Sequence, residues 1–260
     1  MRLDLAARPG STISRLWPPV LVALAVGLAW EAGVRVADVA PNVLPSPSRI
    51  ATVTWEERRP LLGDSWVTAQ EAFLGLGLAF LVAIVVALVL DHSAGVRRAI
   101  EPLLIGSQIL PIVAIAPLFI LWFDFGLLGK VFTVALYTFF PIVVGLGRGF
   151  RAADPHAEAL IRTMGGNGGD VLRRVRVPSA LPSMFTGLRL AATYSVVAAV
   201  ISEFLGAFDG LGITMQEANG TRQTDLLFAS VSATFVLTMV IIAFVAATER
   251  LVAPWAKVTR

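Results

Sequence analysis

The side chains that most often carry enzyme chemistry are scarce in this chain. It has no cysteine and only two histidines, His92 and His156, which are too few for a thiolate or histidine metal centre. The acids are dispersed, and there is no His-Glu-x-x-His motif. The only Gly-Lys pair, Gly129-Lys130, is followed by Val131 and not by the hydroxyl residue of a phosphate-binding loop. We expect no cofactor, and a membrane-embedded enzyme is kept only as an alternative.

Polar side chains that could handle a solute lie within long apolar stretches. Ionisable groups inside a membrane are costly, and their default interpretation is functional. Glu71 and Glu203 are such groups, and because each lies near the outer end of its stretch, a carboxylate reached by water is the alternative. Deeper polar residues favour either a solute path or hydrogen bonds between helices. The predicted path residues are Ser107, Gln108, Pro111, Tyr137, Tyr194, Ser195 and Glu203.

Composition indicates the elements that must position these residues. Hydrophobic residues make up 56% of the 260 residues, and charged residues make up 15%. In soluble proteins the hydrophobic share is roughly 45–50% and the charged share about 25%. Intrinsic disorder and a disulfide scaffold are excluded. A spanning helix needs about 20 mostly apolar residues, and the alternation of a membrane barrel is absent. We predict an all-α, polytopic membrane protein with six spans: Leu16–Val36, Trp66–Leu90, Ile100–Phe123, Leu127–Leu146, Leu181–Leu205 and Leu226–Thr248.

The third of these spans contains two helix-breaking residues, Pro111 and Pro117. A proline within a helix leaves backbone carbonyl groups without partners, which a membrane tolerates only where they face protein or a water-filled cavity. This span is therefore the predicted wall of the solute path.

The chain is predicted to hold a cytoplasmic tail, residues 1–15, and one transmembrane domain, residues 16–260. The first span could instead be a secretory signal, but Trp30-Glu31-Ala32-Gly33 is a poor cleavage site. With the N-terminus inside, the inner segments hold 14 basic residues and the outer segments 6. The excess favours both termini in the cytoplasm.

One connection, the loop of residues 147–180, is much longer than the others. Asp154 is a good N-cap, and Pro155 suits the first position of a helix. Four glycines and an asparagine then favour a turn. Asp170 is predicted to cap a second short helix that Pro178 ends. The expected result is a helical hairpin on the cytoplasmic face, although a solvated basic loop remains the alternative.

This loop resembles the EAA loop of permease subunits of bacterial ABC importers. That pattern reads Glu-Ala-Ala, three residues, Gly, nine residues, Ile, one residue, Leu-Pro. With Gly165 at the glycine, Val175 takes the Ile position and Val177-Pro178 takes Leu-Pro. The triad is degenerate, because Ala159-Leu160-Ile161 stands there and Glu158 lies one residue early.

Further segments resemble the nitrate/sulfonate/taurine-type members of that family in order and spacing. They cover nearly the whole chain, from the first span to the segment after the fifth. The segments are Leu44-Pro45-Ser46-Pro47-Ser48, residues 68–75, residues 117–123, Phe125-Gly126-Leu127, Phe139-Phe140-Pro141-Ile142, residues 202–206 and Gly210-Leu211-Gly212.

The resemblance implies a fold like that of an ABC type I importer permease and a place in the bacterial inner membrane. Two permease subunits, which we expect to be identical, would form the path, and two separate ATPase chains would hydrolyse ATP. A binding protein would deliver a small solute, in the nitrate/sulfonate/taurine or hydroxymethylpyrimidine/riboflavin range. Membrane lipids are also expected partners, and nucleic acid is not. A secondary transporter is the alternative, although no internal repeat supports it.

The resemblance also implies that the loop couples the permease to the ATPase. Val171, Leu172 and Val175 share one helix face, since residues three and four apart are neighbours. This apolar stripe is expected to bury itself either in an ATPase groove or against the permease's own helix ends. The predicted coupling residues are Glu158, Ala159, Gly165, Asp170, Val171, Leu172, Val175 and Pro178.

Overall fold

The computed structural model describes residues 12–107, 109–124 and 126–257, and within them the chain is helical, with no strand. The α-helices are α1 (Thr12–Val36), α2 (Pro47–Glu56), α3 (Arg58–His92), α4 (Ala94–Ser107), α5 (Ile112–Phe123), α6 (Leu127–Arg151), α7 (Pro155–Thr163), α8 (Gly168–Val171), α9 (Val177–Gly206), α10 (Leu211–Gly220) and α11 (Thr224–Val252). A π-helical turn, Leu172–Arg176, joins α8 to α9, and a 3-10 turn, Pro254–Lys257, follows α11.

Five helical segments are long and apolar enough to cross a membrane, and each contains most or all of a predicted span. They are α1 from Trp17, α3, α6, the continuous helix of residues 168–206, and α11. Many large apolar side chains on them are exposed, as expected of surfaces that face lipid. The all-α prediction is therefore confirmed.

The predicted third span consists of two helices. α4 ends at Ser107 and α5 begins at Ile112, with Pro111 in extended backbone as its N-cap. The break follows from the proline, because proline lacks the backbone N–H that would continue the helix. The break predicted at Pro111 is confirmed, whereas Pro117 lies inside α5 without ending it.

α3, α6 and α9 form the centre of the structure, and their buried residues make one core cluster. Glycines allow α6 and α9 to touch closely. A Cβ atom at Gly149 would lie 2.5 Å from the Cα of Ala180, and one at Gly145 would lie 2.7 Å from the carbonyl oxygen of Ser183. The spacing of four places both glycines on one face of α6, as in membrane helices packed through small residues.

The first half of the long loop folds as predicted. The Asp154 carboxylate accepts from the backbone N–H of His156 at 2.9 Å, and Pro155 is the first residue of α7. Gly165 has a φ of +85°, in the left-handed region that favours glycine. The Gly166 N–H donates to the Ile161 carbonyl at 2.9 Å, which closes the helix end.

The second half corrects two predictions. The N-cap of α8 is Asn167, and Asp170 is its capping-box partner, because each side chain accepts from the other's backbone N–H. Pro178 does not end the helix but lies at the beginning of α9. The π-helical turn before it widens the backbone, with the Val177 N–H donating to the Leu172 carbonyl. A wider turn accommodates a proline that an α-helical turn would exclude.

Candidate functional site

Arg176, in the π-helical turn, joins the long loop to a span that is distant in sequence. Its guanidinium donates to both carboxylate oxygens of Glu158 on α7, at 2.7 and 3.1 Å. A third nitrogen donates to Asp91, at the end of α3, at 2.6 Å. We call these three residues the arginine clamp.

The clamp is only partly shielded from water. The side chains of Arg176, Asp91 and Glu158 keep 28%, 16% and 17% of their surface exposed. Hydrogen bonds from Arg176 to the carboxylate hold the pKa of Glu158 below its usual range. A bidentate arginine contact of this kind fixes geometry as well as charge.

The apolar stripe of the loop is buried against the chain itself. Val171 is 2% exposed, and Leu172 packs against the main core cluster. Of the two alternatives for the stripe, internal packing therefore accounts for these two residues. The most exposed large apolar side chains of the loop lie on and just after α7, where Leu160 is 60% exposed and Met164 is 76% exposed.

A second polar cluster lies toward the other end of the spans. The Lys130 ammonium donates to Glu71 at 2.6 Å, and these side chains are 8% and 1% exposed. Glu203, fully buried, accepts from the Thr68 hydroxyl at 2.6 Å and from the Gly212 N–H at 2.6 Å. The two glutamate carboxyl groups lie close enough to interact. We call these five residues the carboxyl lock.

The lock holds the N-terminus of α10 against the spans. The free N–H groups there attract negative charge, and Glu203 and Thr68 accept from them. Gly210, with a φ of +125°, and Gly212 are packed against Glu203 so tightly that a Cβ at either position would collide with its carboxyl group. Neither glutamate is a water-reached carboxylate in this structure, because Glu71 is 1% exposed and Glu203 is 0% exposed.

The predicted path residues separate into distinct environments. Tyr137 and Tyr194 are brought together, with ring centroids 5.3 Å apart. Ser195 is buried and donates to the carbonyl of Ala192 on its own helix, at 2.8 Å. Glu203 belongs to the carboxyl lock, and its place in a path stays a prediction. Pro111 and Ser107 border the break in the third span, and Gln108 lies outside the described residues.

Several residues of the two clusters were missed by sequence reasoning: Lys130, Thr68, Asp91 and Arg176. Lys130 lies 59 residues from Glu71, and Arg176 lies 85 residues from Asp91, so no local spacing links the partners. In the described part of the chain, no three His, Asp or Glu side chains are grouped so that they could hold a metal ion.

Residues 75–258 match a family model described as "Binding-protein-dependent transport system inner membrane component". The formylaminopyrimidine transport permease protein ThiX of Halalkalibacterium halodurans is 33% identical over 92% of this chain and 96% of its own. The riboflavin transport system permease protein RibX of Chloroflexus aurantiacus is 32% identical over 92% of this chain and 91% of its own.

A solved structure of the MetNI methionine ABC transporter, in an inward-facing conformation, has the same fold. It aligns with a TM-score of 0.61 over 74% of this chain and 97% of the matched chain, at 16% sequence identity.

Proposed function

The chain belongs to the family of inner membrane components of binding-protein-dependent transport systems, and from this premise we propose how its long loop connects an ATPase to the spans. Members of this family are multi-pass permease subunits of ABC importers, which work with ATPase and binding-protein partners. The chain is such a subunit for a small solute. ATP hydrolysis itself takes place on a separate chain.

The open face of α7 is the observation that supports an ATPase contact. Leu160 and Met164 lie four residues apart, one helical turn, and are 60% and 76% exposed. The loop around them is polar and basic, so they do not belong in lipid. Exposed apolar groups with a polar surround are typical of protein interfaces. The ATPase groove therefore receives α7 and the turn at Gly165, while the apolar stripe of the loop packs against the permease.

The arginine clamp supports transmission of the ATPase's movement to three spans. The loop is joined to α6 at one end and runs without interruption into α9 at the other. Arg176 also connects the loop to α3, through its hydrogen bond to Asp91. A displacement of α7 thus moves α6 and α9 through the backbone and α3 through a hydrogen-bonded ion pair.

We assign the solute to the range of pyrimidines and flavins. The relatives at 33% and 32% identity are named for formylaminopyrimidine and riboflavin transport. Inside the spans, Lys130 and Arg189 are each paired with a glutamate, so neither is available as a simple counter-ion for sulfonate or nitrate. Uptake of labelled formylaminopyrimidine, riboflavin and taurine by cells that express the whole transporter tests this assignment. Uptake of taurine alone contradicts it.

Both termini lie in the cytoplasm, and two identical copies form the path. The excess of basic residues in the inner segments supports the orientation. Two-fold dimers are the commonest closed assembly, which supports the pairing. A reporter fused after Arg260 should be active only in its cytoplasmic form. A purified transporter with a single copy of this chain would contradict the pairing.

Replacing Leu160 by Asp tests the docking face most simply. The charge should expel α7 from the ATPase groove and release the ATPase during copurification, while the permease unfolds at its usual temperature. Leu172→Asp is the matched control, because its side chain packs inside the permease, and it should lower stability first. A Leu160→Asp permease that still retains its ATPase would rule out α7 as the docking element.

A further inference from the structure

Tyr137 and Tyr194, the two tyrosines of the chain, contact each other midway along two membrane-length helices. Tyr137 lies ten residues after the start of α6, and Tyr194 lies twelve residues before the end of α9. At 1.5 Å per residue they lie about 15 and 18 Å from those helix ends, roughly half of a 30 Å hydrocarbon core. Both side chains are half-buried.

The tyrosine hydroxyl groups differ from the other hydroxyl groups at this depth. Thr133 and Thr138 are buried and donate to carbonyls of their own helix, at 2.9 and 2.8 Å. Ser195 does the same at 2.8 Å. Among the described residues, neither tyrosine hydroxyl has a hydrogen-bond partner, and neither is enclosed. A free hydroxyl in hydrocarbon is unfavourable, so these two groups need water, a solute or another chain.

The surroundings of the pair favour a solute. Tyr137 lines a small groove together with Leu110 and Ile112, which flank Pro111 at the break in the third span. Backbone irregularity at membrane depth is tolerated beside a cavity. No Asp, Glu, Lys, Arg or His side chain lines the groove. Its chemistry is therefore that of aromatic faces and neutral hydroxyl groups.

We propose that Tyr137 and Tyr194 form the mid-membrane contact site of the transported solute, and that the site takes an uncharged, planar ring with hydrogen-bonding groups. The two rings are tilted by 46° and present both a π face and hydroxyl groups. A sulfonate or nitrate would find no positive charge in this groove. The inference rests on the proposed function, because it requires that the chain pass a solute.

Single cysteine substitutions test the site without any knowledge of the solute, since the chain has no cysteine of its own. Tyr137→Cys and Tyr194→Cys are assembled with the ATPase and exposed to a charged, membrane-impermeant methanethiosulfonate reagent. Both should be labelled. Leu121→Cys, on the 78% exposed apolar surface of α5, and Val196→Cys, fully buried, are the controls and should stay unlabelled. Absence of labelling at either tyrosine position would overturn the site.

Phenylalanine substitutions then test recognition, with labelled formylaminopyrimidine as the probe. Tyr137→Phe and Tyr194→Phe keep the rings and should each lower uptake about tenfold, the effect of losing one good hydrogen bond. Thr138→Val is the control, because its hydroxyl serves only its own helix, and uptake should persist. Wild-type uptake in both Phe variants would overturn the recognition role. Cysteine labelling with no uptake by the wild-type transporter would instead contradict only the proposed solute class.

Discussion

The carboxyl lock and the arginine clamp are two ionic clusters that share one helix but differ in burial. α3 carries Glu71 of the lock and Asp91 of the clamp, 20 residues and about 30 Å apart. The Lys130–Glu71 pair is almost fully enclosed, whereas the clamp residues keep between 16% and 28% of their surface. Charges in a dry interior are costly to separate, and charges near water are not. We therefore expect the lock to hold its end of the bundle more firmly than the clamp holds the other end.

Removing the cation of the lock should have the largest effect on stability. Lys130→Met leaves the buried Glu71 carboxylate without its counter-ion and should destabilise the permease by about 3–5 kcal/mol. Thermal unfolding in detergent measures the loss. Adding Glu71→Gln to this variant should restore most of the stability, because it removes the uncompensated charge. An unchanged unfolding temperature in Lys130→Met would show that the pair does not hold the helices together.

Disturbing the close packing of α10 should lower stability by less than removing the lysine of the lock. A methyl group at Gly212 would lie 2.6 Å from the Val200 carbonyl oxygen and would press against Glu203. Gly212→Ala should therefore cost about 1–3 kcal/mol in unfolding free energy, the usual result of overpacking. Gly220→Ala, with open space at its Cβ, is the matched control. Equal stability of the two variants would mean that α10 does not need its tight seat on the lock.

The smallest expected effect is the pH dependence of the clamp. Because the pKa of Glu158 is lowered in the folded chain, its contribution to stability is complete above the usual glutamate pKa of about 4.3 and disappears as pH falls through the lowered value. Proteolysis of the loop should accelerate over that acidic window. In Glu158→Gln the acceleration should be absent, and its persistence would assign the effect to another carboxylate.

Hydropathy predicted the spans because each is a local property of about 20 residues. The position of Pro111 predicted the break in the third span, since proline acts through its own backbone. Local rules failed at Pro178, because the π-helical turn Leu172–Arg176 before it lets the helix continue through the proline. Spacing along the chain predicted α7 and the turn at Gly165 equally well, because helix caps and turns depend on residues only a few positions apart.

The two clusters could not be predicted in the same way. The positions of Glu71 and Glu203 in the sequence are those of carboxylates near a membrane surface, but both are buried in the folded chain, Glu203 against the start of α10. Their partners, Lys130 and Gly212, come from other elements, and only the packed structure brings them together. Arg176 is one of several arginines in a basic loop, and its sequence position does not distinguish it from Arg174, which is more exposed and lies 3.8 Å from Asp170.

The most direct test of coupling through the clamp is the amount of solute transported per ATP hydrolysed. Arg176→Gln in the complete, membrane-reconstituted transporter should leave ATP hydrolysis and ATPase binding near normal while transport falls about tenfold, because α7 no longer moves α3. Arg174→Gln should keep the normal ratio. A normal ratio in Arg176→Gln, or equal loss of hydrolysis and transport, would contradict the role of the clamp in coupling.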